Sequence, residues 1–311
     1  MKLVEIKNLE KSFDSNRAVD NVNLVIQEGQ VYGLLGPNGA GKSTTINMIC
    51  GLLSADKGDI YILGKKISKK VKDVKENIGV VPQDIAIYED LTAYENVAFF
   101  AGLYGLRGKK LKQKVNETLE FVGLKDKAKE YPSKFSGGMK RRLNIACAIV
   151  HEPKLIIMDE PTVGIDPQSR NHILESIKKL NERGCTIIYT SHYMEEVEHI
   201  CTNIAIIDQG KIIAEGEKKK LIEENTDKNI IIITIEEGQT VDENELKSIE
   251  GVEEVEIQQN IIKITNSVLN NNLDKIITLF VERNIKIKNI ENRHSDLETI
   301  FLNLTGKKLR D

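Results

Sequence analysis

The sequence predicts an α/β fold with a largely parallel sheet, an inserted helical subdomain and a small C-terminal α+β domain. Apolar runs alternate with helical segments up to about residue 220, and the pattern becomes mostly helical at residues 92–150. A charged stretch at residues 218–229 is followed by β-branched runs. Strands that alternate with helices are typical of parallel sheets. We therefore expect one domain over residues 1–220 and another over residues 228–305.

The first domain should consist of short buried strands that each lead into a helix. Apolar runs at residues 31–35, 155–158 and 186–189 predict such strands. Helices are expected to begin at Lys42 and Gln168. In the inserted subdomain, residues 93–106 and 111–122 are expected to be helical, and a further helix should begin near Ser136.

The second domain shows the order strand, helix, strand, strand, helix, strand. Strands are expected at residues 230–235, 252–257, 261–265 and 285–290, and a helix at residues 242–249. The second helix is indicated by apolar residues at helical spacing: Leu269, Leu273, Ile276, Ile277 and Phe280. This βαββαβ order predicts a ferredoxin-like domain.

Composition and charge exclude several classes of protein. The 311 residues include 44 Lys and Arg and 47 Asp and Glu, a net charge of −3. The overall charge therefore does not favour binding to nucleic acid. No apolar run reaches the roughly 18 residues of a membrane span, and no secretory signal is visible at the start. The four cysteines are isolated, which favours reduced thiols in a cytosolic protein.

A glycine-rich loop follows the apolar run at residues 31–35. It matches the pattern GxxxxGK followed by Ser or Thr, with the residues Gly36, Pro37, Asn38, Gly39, Ala40, Gly41, Lys42 and Ser43. Glycines let backbone N–H groups close around phosphate oxygens, Lys42 can reach the β and γ phosphates, and Ser43 can ligate Mg²⁺. The loop predicts a site for a purine nucleoside triphosphate with magnesium.

Two carboxylates follow the apolar run at residues 155–158. Asp159 and Glu160 should lie at the carboxyl edge of the sheet, where ligand sites of α/β proteins form. Asp159 could hold magnesium through its waters, and Glu160 could polarise the attacking water.

A second glycine pair opens the helix that is expected near Ser136. Ser136 is a candidate N-cap, and Gly137 and Gly138 follow it. A hydroxyl and two glycines at a helix N-terminus can form an anion site, but a plain capped helix explains the same residues.

Taken together, residues 3–218 resemble the nucleotide-binding domain of ATP-binding cassette (ABC) transporters, a P-loop NTPase fold. The segment GPNGAGKST at residues 36–44 resembles the Walker A loop, which adds Thr44, and Gln83 resembles the Q-loop glutamine. FSGGM at residues 135–139 resembles the signature sequence of the family. LIIMDE at residues 155–160 resembles the Walker B motif, and GID at residues 164–166 resembles the D-loop. His192 corresponds to the switch histidine, and Phe13 to the aromatic residue that stacks on adenine.

The resemblance implies a role for each matched residue. ATP would be bound by Phe13 and residues 36–44, Mg²⁺ by Ser43, Gln83 and Asp159, and catalysis would involve Glu160, His192 and Gln83. In this family the signature of one chain contacts the ATP of another, a role that falls to Ser136, Gly137 and Gly138. Phe135 and Met139 depart from the usual Leu and Gln, which puts dimer affinity in question more than activity.

The implied partners are a second nucleotide-binding chain, identical or paralogous, and integral-membrane subunits, with no nucleic acid. The protein would then be peripheral, on the cytoplasmic face of the cell membrane, and would power export of a substrate that the sequence does not name. Aromatic residues between Tyr88 and Tyr104 either pack the helical subdomain or form a groove for a helix of the membrane subunit. A soluble ABC ATPase with a non-membrane partner, or a protein that uses ATP only to dimerise, are the alternatives.

The end of the chain narrows the resemblance to one branch of the family. DLETIFLNLTGKKLRD, at residues 296–311, resembles the closing motif LEDVFLxLTG of bacterial exporters that include drug-resistance, sodium-extrusion and antibiotic-resistance ATPases. We expect the C-terminal domain to contact its copy in a second chain and to regulate or stabilise dimerisation.

Overall fold

The computed structural model describes residues 1–14, 16–67, 72–191, 193–225, 228–267, 272–293 and 297–306. The chain forms two compact units, Met1–Lys218 and Lys219–Lys308, called unit 1 and unit 2 below. No helix among these residues is long and apolar enough to cross a membrane. The four cysteines are free and buried.

Unit 1 contains two sheets. Its strands are β1 (Lys2–Phe13), β2 (Asn16–Gln27), β3 (Val31–Leu35), β4 (Lys57–Ile62), β5 (Lys65–Lys66), β6 (Ile78–Val81), β7 (Leu155–Asp159), β8 (Thr186–Thr190), β9 (Asn203–Asp208) and β10 (Lys211–Glu217). The six-stranded sheet has the order β10-β9-β3-β8-β7-β6, and all its neighbours are parallel except β10 and β9. The predicted parallel α/β sheet is therefore confirmed.

The second sheet of unit 1 is antiparallel and was not predicted. Its order is β2-β1-β4-β5. Register shifts interrupt the pairing of β1 with β2, so polar and apolar residues do not alternate regularly over the full length of these strands. Apolar side chains of this sheet, such as Ile6 and Ile26, share one buried core with Ile157 and Ile188 of the parallel sheet.

The helices of unit 1 begin close to the predicted positions. They are α1 (Lys42–Ile49), α2 (Lys72–Lys75), α3 (Ala93–Leu103), α4 (Gly108–Phe121), α5 (Gly137–Ile149), α6 (Pro167–Glu182) and α7 (Met194–Ile200), and α8 (Lys218–Asn225) begins at the unit boundary. Thr92 and Glu95 form a capping box that starts α3. This helix ends three residues earlier than predicted because Gly105 adopts φ +84°, which a helix does not accommodate.

Unit 2 has a four-stranded antiparallel sheet covered by helices. Its elements are β11 (Lys228–Ile235), α9 (Glu243–Lys247), β12 (Val252–Gln258), β13 (Ile261–Ser267), α10 (Leu273–Glu282), β14 (Ile287–Arg293) and α11 (Leu297–Thr305). The strand order is β12-β13-β11-β14. Ile231, Ile233 and Ile235 of β11 form a core with Ile276 and Phe280 of α10. Leu269, expected on the second helix, lies outside the described residues, and α11 was not predicted.

Candidate nucleotide-binding site

The parallel sheet gathers the predicted site residues at its carboxyl edge. The glycine-rich loop follows β3, Gln83 follows β6, and Asp159 and Glu160 end β7. Ser191 follows β8, which pairs with both β3 and β7. Because these strands are parallel, the segments that follow them lie at the same edge of the sheet, where α/β proteins bind ligands.

Backbone geometry and a buried lysine define the glycine-rich loop. Gly41 precedes α1 at φ +106°, and a Cβ there would lie 2.3 Å from the carbonyl oxygen of Ala18. Only glycine fits this position. The Lys42 ammonium is buried and donates to the carbonyls of Gly36 (2.7 Å) and Pro37 (3.0 Å). Burial lowers the pKa of Lys42, while the carboxylates of Glu160 and Asp159 act against that shift.

Asp159 and Glu160 are held by a threonine of the neighbouring strand. The Thr190 hydroxyl donates to Oδ1 of Asp159 (2.7 Å) and accepts from the backbone N–H of Glu160 (2.9 Å). Glu160 is buried and adopts φ +48°, in the left-handed region that a residue with a side chain rarely occupies. Strained backbone of this kind persists where the surroundings fix it and is found at functional sites.

Gln83 contacts Glu160 directly. Nε2 of Gln83 donates to Oε2 of Glu160 at 3.1 Å, although the two residues are 77 positions apart. Gln83 is exposed and Glu160 is buried, so the pair lies at the boundary between solvent and the interior of unit 1. The structure thus brings together two residues that the sequence analysis named as catalytic.

The glycine pair lies at the N-terminus of α5, next to α6. Ser136 is the predicted N-cap, and its hydroxyl accepts from the backbone N–H of Met139 at 3.3 Å. A Cβ on Gly138 would lie 2.2 Å from Oγ of Ser169, in the first turn of α6. Gly138 is therefore required by close helix packing, while Ser136 and Gly137 remain exposed.

One described residue of the predicted site, Phe13, lies apart from these contacts. Phe13 pairs with Asn16 at the end of the β1–β2 hairpin and is 47% exposed, with the Lys11 ammonium 5.5 Å from its ring centre. Strand β2 borders the glycine-rich loop, since Ala18 approaches Gly41. His192 lies outside the described residues.

Comparison with known proteins identifies the family. The family described as ABC transporter matches residues 19–163. The chain is 45% identical to the linearmycin resistance ATP-binding protein of Bacillus subtilis (strain 168), over 99% of this chain and 100% of that protein. It is 34% identical to the Nod factor export ATP-binding protein I of Sinorhizobium fredii, over 99% of this chain and 87% of that protein. The chain belongs to the ATP-binding subunits of ABC transporters.

A solved structure extends this result to the fold. A dimeric ATP-binding cassette in a post-hydrolysis state, bound to ADP and Pi, superposes with a TM-score of 0.63 at 30% identity. The superposition covers 69% of this chain and 98% of that one. The protein is accordingly an ABC ATPase that binds and hydrolyses ATP.

A buried arginine of this ABC ATPase was not predicted from the sequence. Arg141 of α5 donates to the backbone carbonyls of Pro82 (2.7 Å) and Gln83 (2.5 Å). One turn later, Oδ1 of Asn144 accepts from the N–H of Ala86 (3.1 Å). The helix that Ser136 caps therefore holds the segment that carries Gln83. The sequence contained a signal for this residue. The spacing of Arg141 to Asn144 and other buried residues of α5 places it on the buried face of the helix, where a charged residue is unusual.

A buried glutamate of the ABC ATPase was missed as well. Oε2 of Glu196 accepts hydrogen bonds from three hydroxyls, and Oε1 lies 3.4 Å from Nε of Arg170. The three donors are Thr162 (2.8 Å), Tyr189 (2.7 Å) and Ser191 (2.6 Å). Burial raises the pKa of Tyr189, and the negative charge of Glu196 raises it further. Glu196 thus joins the segment after Glu160 to the residue that precedes His192, and nothing in MEEVEHI distinguishes it from the other glutamates.

Proposed function

We propose that this ABC ATPase powers export through separate integral-membrane subunits, with two ATP-binding chains that close on ATP and reopen after hydrolysis. The main support for the proposal is that one chain exposes two surfaces suited to bind phosphate, the glycine-rich loop and the start of α5. Asn38, Gly39 and Ser43 are exposed in the loop, and Ser136 and Gly137 are exposed at the start of α5. A head-to-tail pair, identical or paralogous, would supply each loop with the signature of the other chain. Relatives named for linearmycin resistance and for Nod factor export support the direction of transport.

ATP would be bound chiefly by the loop at residues 36–44. The Lys42 ammonium, which donates to two loop carbonyls, would donate to phosphate oxygens instead, and the loop N–H groups would surround the phosphates. Phe13 would stack on adenine. Ser136, Gly137 and Gly138 would contact the γ-phosphate held by the partner chain.

The residues proposed to hold Mg²⁺ fit its chemistry. Ser43 offers a hydroxyl, Gln83 a side-chain carbonyl and Asp159 a carboxylate, and Mg²⁺ prefers such oxygen ligands. The Thr190 hydroxyl keeps Oδ1 of Asp159 in place. A bound Mg²⁺ would neutralise charge on the β and γ phosphates.

In the hydrolytic step, Glu160 would accept a proton from the attacking water. Its carboxylate accepts a hydrogen bond from Gln83. If a water molecule replaced Gln83 as the donor, the carboxylate would be placed to act as a general base. The bond from its backbone N–H to the Thr190 hydroxyl holds the main chain of Glu160 in place. His192 is the third catalytic residue of this proposal, as the counterpart of the switch histidine in the family.

The membrane subunit would dock on an aromatic cluster that follows Gln83. The rings of Tyr88, Phe99 and Phe100 contact one another at 5.1 to 6.3 Å between centres. Tyr88 is 49% and Phe99 42% exposed, so the cluster is only partly used for packing. Aromatic side chains of this kind serve as anchors in protein interfaces. The chain would then lie on the cytoplasmic face of the membrane.

Steady-state ATP hydrolysis across a range of protein concentrations tests the two-chain mechanism. Turnover per chain should rise with concentration, and Glu160→Gln should lower it by about 100-fold or more while ATP-bound dimers accumulate. Ser136→Asn keeps an N-cap but alters the proposed phosphate contact, so it should lower turnover without unfolding α5. Ser133→Ala, an exposed serine three residues earlier, is the matched control. Turnover that is independent of concentration and untouched by Ser136→Asn would refute the mechanism.

Affinity purification from detergent-solubilised membranes tests the transport role. The Glu160→Gln variant, loaded with ATP, should recover an integral-membrane protein. Recovery of cytosolic protein alone would instead support a soluble ABC ATPase with a non-membrane partner.

A further inference from the structure

The turn between α3 and α4 carries an exposed basic surface. Lys109, Lys110 and Lys112 are exposed at the start of α4, and Leu103 at the end of α3 is 65% exposed. We call these four residues the hairpin patch. Only residues 104–107 separate the two helices, so the four residues lie around one turn.

The charge of this segment is opposite to that of the chain. Residues 96–116 contain five basic residues and no acidic one, whereas the whole chain has a net charge of −3. The basic residues are Arg107, Lys109, Lys110, Lys112 and Lys114. The segment around the hairpin patch is thus more basic than the composition of the whole chain predicts.

The three lysines of the hairpin patch have no ion pair among the described residues. Lys114, by contrast, pairs with Glu117 and Glu152, and Arg107 donates to backbone carbonyls at the end of α3. Exposed lysines elsewhere also face carboxylates, as Lys125 faces Glu120. Unpaired lysines and an exposed leucine around one turn are complementary to a surface that is anionic and apolar at once.

We propose that the hairpin patch binds the surface of a membrane that contains anionic phospholipid. Lipid phosphates would attract the three lysines, and the boundary of the acyl chains would accept Leu103. Nucleic acid is the other common polyanion, but it offers no apolar layer for an exposed leucine. The contact requires neither ATP nor a membrane subunit, so its failure would leave the proposed transport function standing.

Co-sedimentation of the full-length protein with vesicles tests this contact. Vesicles of phosphatidylcholine with about one third phosphatidylglycerol, within the anionic range that attracts basic segments, are compared with vesicles of phosphatidylcholine alone. Binding should be found with the anionic vesicles and should weaken as salt is raised, because salt screens exposed charges.

Variants assign the binding to the hairpin patch. Each lysine near an anionic surface contributes about fivefold to partitioning, so the combined substitution Lys109→Gln, Lys110→Gln, Lys112→Gln should weaken binding on the order of 100-fold. Leu103→Ser should weaken it further in the same background. The matched control, Lys247→Gln, Lys263→Gln, Lys275→Gln, removes the same charge from lysines that pair with glutamates in unit 2. ATP hydrolysis should be unchanged in every variant.

Three results would overturn the proposal. These are no binding to anionic vesicles, equal binding to neutral vesicles, or equal loss in the hairpin and control variants. If vesicles do not bind but the hairpin variant no longer recovers an integral-membrane protein, the patch belongs to an acidic protein segment instead.

Discussion

Unit 1 and unit 2 differ in the side chains that they bury. Among its described residues, unit 1 buries four charged side chains: Lys42, Arg141, Glu160 and Glu196. Among the described residues of unit 2, the buried polar side chains are neutral: Thr265, Asn266 and Asn272. The ion pairs of unit 2, such as Lys247 with Glu243, lie at the surface.

This difference separates residues that serve chemistry from residues that serve packing. An unpaired buried charge costs several kcal/mol, so a fold retains one where it has partners and a task. Each buried charge of unit 1 contacts a segment at the carboxyl edge of the parallel sheet. We therefore expect substitutions at these positions to change activity, and core substitutions in unit 2 to change stability.

The largest effect is expected in the core of unit 2. Phe280 is fully buried against the sheet, so Phe280→Ala should lower the free energy of unfolding by about 3–5 kcal/mol. Hydrogen exchange should accelerate in β11 to β14 and stay unchanged in β3, β7 and β8. Val281→Ala, at the neighbouring exposed position, is the control. Equal acceleration in both units would contradict the separation of their cores.

A smaller effect, a loss of catalytic rate, is expected from Glu196→Gln. The carboxylate accepts from three hydroxyls, and its charge-assisted bonds are worth about 1.5–3 kcal/mol, which the neutral amide loses in part. Because Lys42 and its loop are not touched, kcat for ATP hydrolysis should fall while the Kd for ATP stays constant. The exposed neighbour variant Glu195→Gln should leave both unchanged. A parallel rise in Kd would show that Glu196 supports the loop as well.

An effect that depends on pH is expected at His151, a half-buried group apart from the site residues. Its ring stacks on Tyr104 at 3.5 Å between ring centres, and burial lowers its pKa to about 4, below the ordinary value of 6.5. The unfolded chain then binds more protons than the folded one between these values, so stability is present above pH 6.5 and is lost as the pH falls toward 4. Allowing for partial exposure, we expect a loss of about 2 kcal/mol.

Chemical unfolding from pH 7 to 4 measures this loss. His151→Phe keeps an aromatic ring against Tyr104 but cannot titrate, so its stability should fall by about 2 kcal/mol less than that of the wild type. Parallel curves for the two proteins would mean that His151 does not contribute.

Local patterns predicted much of the fold and of the site. Apolar runs marked β3, β7 and β8 to within one residue, and glycine spacing marked the loop before α1. The antiparallel sheet of unit 1 was missed because its strands contain register shifts, which break the alternation that identifies a strand. The predicted end of α3 lay too far along the chain, because Tyr104 and Leu106, on either side of Gly105, continue the apolar spacing of the helix.

The sequence by itself determined the phosphate loop, the order of the motifs and the family, because each depends on residues that are close along the chain. Tertiary structure alone decided that Gln83 contacts Glu160, that Arg141 holds the Gln83 segment and that Glu196 collects three hydroxyls. These contacts join residues on different elements, and a buried charge finds its partners only when those elements pack. Spacing along the chain could mark Arg141 as unusual, but only packing could show which carbonyls it meets.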